Sequence, residues 1–297
     1  MINKKNNLSE RFIKISKFIL FGATFLGLST FSNQVKASAP PRCIDVLGTK
    51  DATTGKYSKK ASDISVDFCT ETPDRFEITI YELGLCTSSP FTSGSPTFTK
   101  ENCEVSMISD GSVSDIAGKT VSLPPMNGRP ANNETGYSYA YIIIKNEFGL
   151  RGSLKIDDGS GGTHQYCSKG FPNDGISTTA ASSCSPEDHT EELDDFGDSS
   201  FSAYFPESGT PESMTDGGKV SALLVKDDLT TATSATQVRK LIGLFETDPL
   251  EKVVISDTTN GLEMQLKVTD IGYGISFNSG EPVDFGSQPF KPIFTTF

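Results

Sequence analysis

The most strongly patterned stretch of the chain spans residues 137–156, which read YSYAYIIIKNEFGLRGSLKI. Its first half alternates with a period of two, and apolar side chains fall on both faces: Tyr137, Tyr139, Tyr141 and Ile143 on one, and Ala140, Ile142 and Ile144 on the other. Such a pattern is typical of a strand that is covered from two directions. Turn-forming residues follow at 145–149, and alternation resumes at Leu150. The pattern predicts a hairpin at the centre of a sheet, with Ile142 and Ile144 nearly fully buried.

Shorter stretches before and after this one also have the period of a strand, and several show one apolar and one polar face. They are residues 43–47, 64–68, 75–81, 104–109, 120–123, 220–225, 252–255, 262–268 and 273–277. Only residues 237–246 fit a helix, and their spacing fits a strand nearly as well because Gly243 weakens a helix. Together these stretches predict a mainly β protein, an antiparallel β-sandwich-like fold.

Beyond residue 37, the composition divides the chain into three regions. Residues 38–156 form the predicted N-terminal β domain. Residues 157–218 are rich in Gly, Ser, Asp and Glu and show almost no apolar alternation, which indicates a long acidic loop insertion. Residues 219–297 become β-like again, and this C-terminal β region either forms a separate domain or completes the same sandwich.

Residues 1–37 have the pattern of a secretory signal peptide. A basic start precedes a short apolar run at 18–28, and small residues follow up to a cleavage motif at 35–37. The apolar run is shorter than the roughly 20 residues that span a bilayer. We therefore expect this segment to be removed, with an uncleaved N-terminal anchor as the alternative, and we expect no membrane span in the mature chain.

All six cysteines follow the predicted cleavage site: Cys43, Cys69, Cys86, Cys103, Cys167 and Cys184. An even number of cysteines in an exported chain predicts disulfides. Six cysteines allow 15 pairings; Cys86–Cys103 and Cys167–Cys184 have equal separation, which is a hint of pairing in sequence order, and the connectivity stays open. A zinc site is the rival interpretation, but the chain has no C-x-x-C motif and neither histidine lies among paired thiols. The expected location is secreted, periplasmic or on the cell surface.

The charge of the chain argues against binding to nucleic acid or to an anionic membrane. Residues 1–37 hold six of the 26 basic residues and one of the 38 acidic residues, so their removal changes the formal net charge from −12 to −17. Contacts to phosphate require clustered Lys and Arg side chains. We expect no nucleic-acid partner.

Catalytic and nucleotide-binding motifs are missing from the sequence. It contains no G-x-S-x-G, P-loop, G-x-G-x-x-G or H-E-x-x-H pattern, and its only histidines are His164 and His189. The sequence therefore favours a protein without catalytic activity, and it identifies no catalytic residue and no organic cofactor.

An acidic cluster in the loop insertion is the strongest chemical feature of the sequence. Calcium prefers several carboxylate and carbonyl oxygens on flexible loops. The candidate calcium ligands are Glu187, Asp188, Glu191, Asp194, Asp195 and Asp198, with Glu192 beside them. The cluster does not match an EF-hand loop, and the alternative interpretation is a solvated acidic loop.

These features lead to a primary hypothesis and two alternatives. The primary hypothesis is an exported, non-enzymatic structural or adhesive surface protein that assembles with itself or with other surface proteins through β edge strands. The first alternative is a secreted carbohydrate-binding or carbohydrate-active protein that uses the aromatic residues of its loops. Those residues are Phe91, Phe98, Tyr166, Phe171, Phe196, Phe201, Tyr204 and Phe205. The second alternative is a calcium-dependent extracellular module.

Overall fold

The computed structural model describes residues 39–92, 96–117, 130–173, 175–177, 182–197, 199–214, 217–247 and 251–297. The predicted signal peptide and Asp198 therefore lie outside the described residues. The described chain is mainly β and its paired strands are antiparallel, which confirms the predicted fold class. Its helical elements are α1 (Cys43–Val46) and the two 3-10 turns Ala61–Asp63 and Ala235–Gln237. The strand predicted at 43–47 is therefore wrong, and the stretch 120–123 lies outside the described residues.

The strands are β1 (Phe68–Glu71), β2 (Arg75–Cys86), β3 (Cys103–Asp115), β4 (Asn133–Tyr137), β5 (Tyr139–Lys145), β6 (Phe148–Arg151), β7 (Ser153–Asp157), β8 (Thr163–Cys167), β9 (His189–Glu191), β10 (Tyr204–Phe205), β11 (Glu212–Ser213), β12 (Lys219–Val225), β13 (Lys240–Glu246), β14 (Val253–Ile255), β15 (Leu262–Lys267), β16 (Tyr273–Asn278), β17 (Glu281–Ser287) and β18 (Lys291–Thr296).

One nine-stranded sheet forms the centre of the protein. Strand β5 lies in its middle, between β2 on one side and β13 on the other. Ile142 and Ile144 are each only 1% exposed. The prediction that these two side chains are buried in a central strand is confirmed. Residues 237–246, which fitted a helix or a strand, contain the strand β13.

The predicted hairpin at 137–156 is wrong. Strands β5 and β6 do not pair with each other; both pair with β2, where Cys86 lies opposite Tyr139 and Phe76 lies opposite Leu150. Strand β2 is 12 residues long and accommodates both partners end to end along one edge. The residues between β5 and β6 therefore do not reverse the chain direction; β6 continues in the direction of β5, farther along the same edge of β2. Asn146 holds this connection in place, because its side chain bonds the backbone N–H and C=O of Leu193.

Both faces of β5 are covered, which explains why both are apolar. On one face, the loop between β2 and β3 places Phe98 5.2 Å from Tyr141, measured between ring centroids. The Tyr141 hydroxyl donates a hydrogen bond of 2.5 Å to Glu82, and Lys100 from the same loop pairs with Glu82 at 2.6 Å. On the opposite face, the cover comes from loop segments that follow β9, β10 and β17.

A second, three-stranded sheet of order β1, β16, β17 shares its core with the central sheet. Tyr273 and Phe285 stack within the smaller sheet, with ring centroids 5.4 Å apart. They belong to the same buried cluster as Phe76 and Phe148 of the central sheet. The pairs β7–β8, β4–β14 and β15–β18 form smaller two-stranded sheets.

Three disulfides join the cysteines in sequence order: Cys43–Cys69, Cys86–Cys103 and Cys167–Cys184. The predicted disulfides are confirmed, and their connectivity, which the sequence left open, follows chain order. The second bond links β2 to β3 at a position where the two cysteines are direct cross-strand partners. Disulfides of this number are characteristic of proteins that fold in an oxidising compartment. In the described part of the chain, no helix has the length and apolar character needed to cross a membrane.

The central position of β5 predicts a large cost for truncating Ile143, which is buried on the face covered by the β2–β3 loop. Ile143→Ala should lower the free energy of unfolding by about 2–5 kcal/mol, because it leaves a cavity in a close-packed core. The matched control is Ile108→Ala in β3, where the side chain is 55% exposed; its cost should stay below about 1 kcal/mol. Urea unfolding of both variants measures the difference, and equal costs would contradict the central position of β5.

Candidate functional site

A cavity of about 490 Å³ lies over one face of the central sheet. Its floor contains the cross-strand row formed by Ala222 of β12, Gly243 of β13 and Ile142 of β5. Gly243 contributes no side chain to this row, and a Cβ atom added there would lie 3.1 Å from Cγ2 of Ile142. The small residues Ala222 and Gly243 therefore leave room for the cavity above the centre of the sheet, whereas larger side chains at these positions would fill it.

Three loop segments form the walls of the cavity. They are residues 193–196 after β9, residues 205–208 after β10 and residues 287–290 at the end of β17. Phe196 and Phe205 meet with ring centroids 5.4 Å apart, and Phe245 and Phe290 meet at 5.7 Å. With Phe148, these rings make five phenylalanines in the lining. The lining is therefore mostly apolar and aromatic.

Local hydrogen bonds hold the 193–202 wall in shape. The carboxylate of Asp195 accepts hydrogen bonds from the backbone N–H groups of Gly197 (2.8 Å) and Ser202 (2.7 Å). The N–H of Phe196 also donates to the carbonyl of Ser202 at 2.9 Å. Asp195 thus forms a compact turn that directs Phe196 toward the sheet.

The charged groups of the lining are all acidic. The described lining residues include Glu191, Asp194, Asp195, Glu207 and Glu212, and no Lys, Arg or His. Carboxylates against an apolar surface are poorly solvated, and poor solvation disfavours their charged form. The cavity therefore combines an aromatic surface with a negative electrostatic field.

Glu191 lies at the end of β9 and is buried. Its carboxylate accepts a hydrogen bond from the backbone N–H of Ser287 at the end of β17, so it joins the two sheets. Burial raises the pKa of Glu191 to about 7; the Ser287 N–H opposes this shift and the charge of Asp284 adds to it. Glu191 therefore titrates close to neutral pH.

Glu212 in β11 is only 8% exposed. No hydrogen bond or ion pair joins its carboxylate to any residue that the structure describes, and burial raises its pKa. Its side chain lines the main cavity and also a smaller adjoining one of about 50 Å³ beside Phe205 and Gln288. Burial also raises the pKa of the half-buried Asp194, and the charges of Asp195 and Glu192 add to this shift.

The structure separates the acidic residues that the sequence groups together. Glu187 pairs with Lys169 at 2.6 Å. Asp188 lies 3.1 Å from both Arg75 and Arg151. Glu191, Asp194 and Asp195 line the cavity, and Asp198 is not among the described residues. In the described ranges, no group of three or more His, Cys, Asp or Glu side chains is placed to hold a metal ion. The described residues therefore provide no set of ligands that would support the calcium hypothesis.

The loop aromatic residues divide among four environments. Phe91, Phe98 and Tyr204 form a cluster of edge-on contacts with Tyr141 on the sheet face opposite the cavity. Phe196 and Phe205 line the cavity, Tyr166 is buried in β8, and Phe171 is 88% exposed. Most of these rings therefore cover the sheet instead of forming one sugar-binding surface.

Sequence reasoning missed several residues of the cavity. Phe148, Phe245 and Phe290 lie in or beside strands, where an apolar side chain indicates only burial, and Glu212 lies outside the acidic cluster. One signal was present: Gly243 interrupts an otherwise apolar strand, and an isolated glycine in a strand often marks a place where another group approaches the backbone.

Comparison with known proteins gives this site no precedent. No protein-family model matches the chain, and no curated protein or solved structure shows significant similarity to it. The function has to be argued from the geometry and chemistry of the cavity.

The raised pKa of Glu191 predicts a pH dependence of stability. The folded protein keeps the proton of Glu191 up to about pH 7, whereas the unfolded chain releases it near pH 4.5. The free energy of unfolding should therefore fall as the pH rises through this window, by up to about 3 kcal/mol from this group. Glu191→Gln keeps a hydrogen-bond acceptor for Ser287 and should remove this contribution.

Urea unfolding between these two pH values measures the effect. The matched control is Glu281→Gln at an exposed position of β17, which should keep the slope of the parent protein. A Glu191→Gln protein with the same slope as its parent would show that this carboxylate does not titrate as proposed.

Proposed function

We propose that this chain is an exported, non-enzymatic binding protein that holds a small apolar molecule in the cavity over its central sheet. The single observation that carries the proposal is the cavity itself. Its volume of about 490 Å³ falls within the range of small-molecule sites, roughly 300–1,000 Å³. A concave space with a mostly apolar lining and a few polar groups has the character of a small-molecule site.

The chemistry of the lining supports holding an apolar ligand. Five phenylalanines and the aliphatic side chains of the floor supply apolar surface. Burying apolar surface contributes about 25 cal/mol per Å², so an apolar molecule would be bound chiefly by removal from water.

The covalent framework supports the exported part of the proposal. Three disulfides are stable in an oxidising compartment, and the pattern of residues 1–37 is that of a signal peptide. A secreted, periplasmic or cell-surface location fits both features.

A structural or adhesive role is the second candidate, and strand β3 is the observation that favours it. This strand pairs with β2 along one edge, and no described strand pairs with its other edge. It is 13 residues long and exposes Ile108 (55%) and Val113 (62%). Long edge strands with exposed apolar side chains are templates for pairing with another chain. At the other end of the sheet, β10 and β11 are two residues each and offer little edge.

The binding proposal can be tested with a single fluorescent reporter, because the chain contains no tryptophan. In the Phe196→Trp protein, a neutral apolar probe such as N-phenyl-1-naphthylamine should bind saturably and quench the tryptophan by energy transfer. Adding Ala222→Leu should weaken the probe affinity about tenfold or more, because the longer side chain occupies the floor of the cavity.

The matched control for this experiment is Ala52→Leu at an exposed position, which should bind the probe like the parent. Circular dichroism verifies that each variant is folded. Absence of saturable binding, or equal affinity in the Ala222→Leu and Ala52→Leu proteins, would overturn the binding proposal.

The assembly candidate has its own test in sedimentation velocity over a range of protein concentrations. Self-association through β3 predicts a sedimentation coefficient that rises with concentration. Val113→Lys should abolish this rise, because an exposed charge on an edge strand opposes strand pairing. Val254→Lys in β14, where the parent side chain is 45% exposed, is the control and should leave the association intact. A monomer at all concentrations would end the assembly candidate.

A further inference from the structure

The charge of the cavity says more about its occupant than its size does. Every ionisable side chain among the described lining residues is a carboxylic acid. A ligand with its own carboxylate, such as a fatty acid, would bring a further negative charge into this poorly solvated space. Like charges at close range repel strongly when water is excluded. The lining therefore selects against anionic amphiphiles.

Glu212 supplies the second and independent observation. Only 8% of this residue is exposed, no hydrogen bond or ion pair joins its carboxylate to a described residue, and its oxygens are not among the fully enclosed unpaired atoms. The carboxylate is therefore poorly solvated but can be reached from the cavity, and a charge in such a place is tolerated best when it is paired. Glu212 faces the cavity, so a ligand is the group that can supply the missing partner.

The aromatic walls favour the same kind of ligand. The faces of phenylalanine rings carry partial negative charge and attract cations within about 6 Å of the ring centroid. Phe205 lines both the main cavity and the smaller one that Glu212 also lines. An ammonium group near Glu212 would therefore meet a carboxylate and an aromatic surface, while the remaining phenylalanines contact the apolar body of the ligand.

We propose that the occupant of the cavity is an amphiphilic cation, an amine with an apolar body, whose charged end pairs with Glu212. This inference rests on the proposed binding function and specifies the class of ligand. A neutral amphiphile would fill the same space but would leave Glu212 without an ionic partner. A bare metal ion fits less well, because the described residues contain no group of three or more metal ligands.

The test uses the full, disulfide-bonded chain and four ligands with the same alkyl body: decylamine, decyltrimethylammonium, decanol and decanoate. Isothermal titration calorimetry below the micelle concentration, at about pH 8, measures each affinity above the range in which Glu191 titrates. The two cations should bind about tenfold tighter than decanol or better, and decanoate should bind most weakly.

Two variants assign the preference to one residue. In Glu212→Gln, the advantage of the cations over decanol should fall to within about threefold, and circular dichroism verifies that the variant is folded. Glu281→Gln removes a carboxylate at an exposed position of β17 and should keep the full preference.

The outcomes separate this inference from the function on which it rests. Equal affinities for decylamine and decanol would overturn the cation inference and leave the binding function standing, and so would tighter binding of decanoate. A preference that survives Glu212→Gln would overturn the role of Glu212. Failure of all four ligands to bind would overturn both the inference and the binding function.

Discussion

The structure depends on one constraint: the central sheet is apolar on both faces, so both faces have to be covered. A sheet with one wet face could rely on a single packed layer. Here the central strand β5 has Tyr141 and Ile143 on one face and Ile142 and Ile144 on the other, and all four are buried. The loops that cover these two faces are therefore part of the hydrophobic core.

The two covers differ in how completely they close, and this difference creates the candidate site. On one face, the β2–β3 loop is fixed by Cys86–Cys103 and packs Phe98 directly on Tyr141. On the other face, residues 193–196, 205–208 and 287–290 meet the sheet where the small residues Ala222 and Gly243 lie in its floor. Acidic residues of the insertion are thereby held against an apolar surface, which raises the pKa of Glu191, Asp194 and Glu212. A cation is the partner that would relieve this conflict.

Sequence patterns predicted the features that arise from local periodicity and spacing, and they failed where distant strands decide. The burial of Ile142 and Ile144 followed from alternation, and the presence of disulfides followed from an even number of cysteines in a chain with the pattern of an exported protein, although their connectivity did not. The hairpin failed because residues 145–149 have the chemistry of a turn, whereas the length of β2 determines that they do not reverse the chain direction. The cavity was not predictable, since it joins residues as distant in sequence as Phe148 and Phe290.

A crystal structure of the protein under xenon pressure tests the apolar cavity most directly, because xenon binds in apolar cavities. We expect ordered xenon between Ala222 and Gly243 of the floor and the ring of Phe205. A space filled by ordered water bonded to the carboxylates, or side chains collapsed onto Gly243, would contradict this expectation.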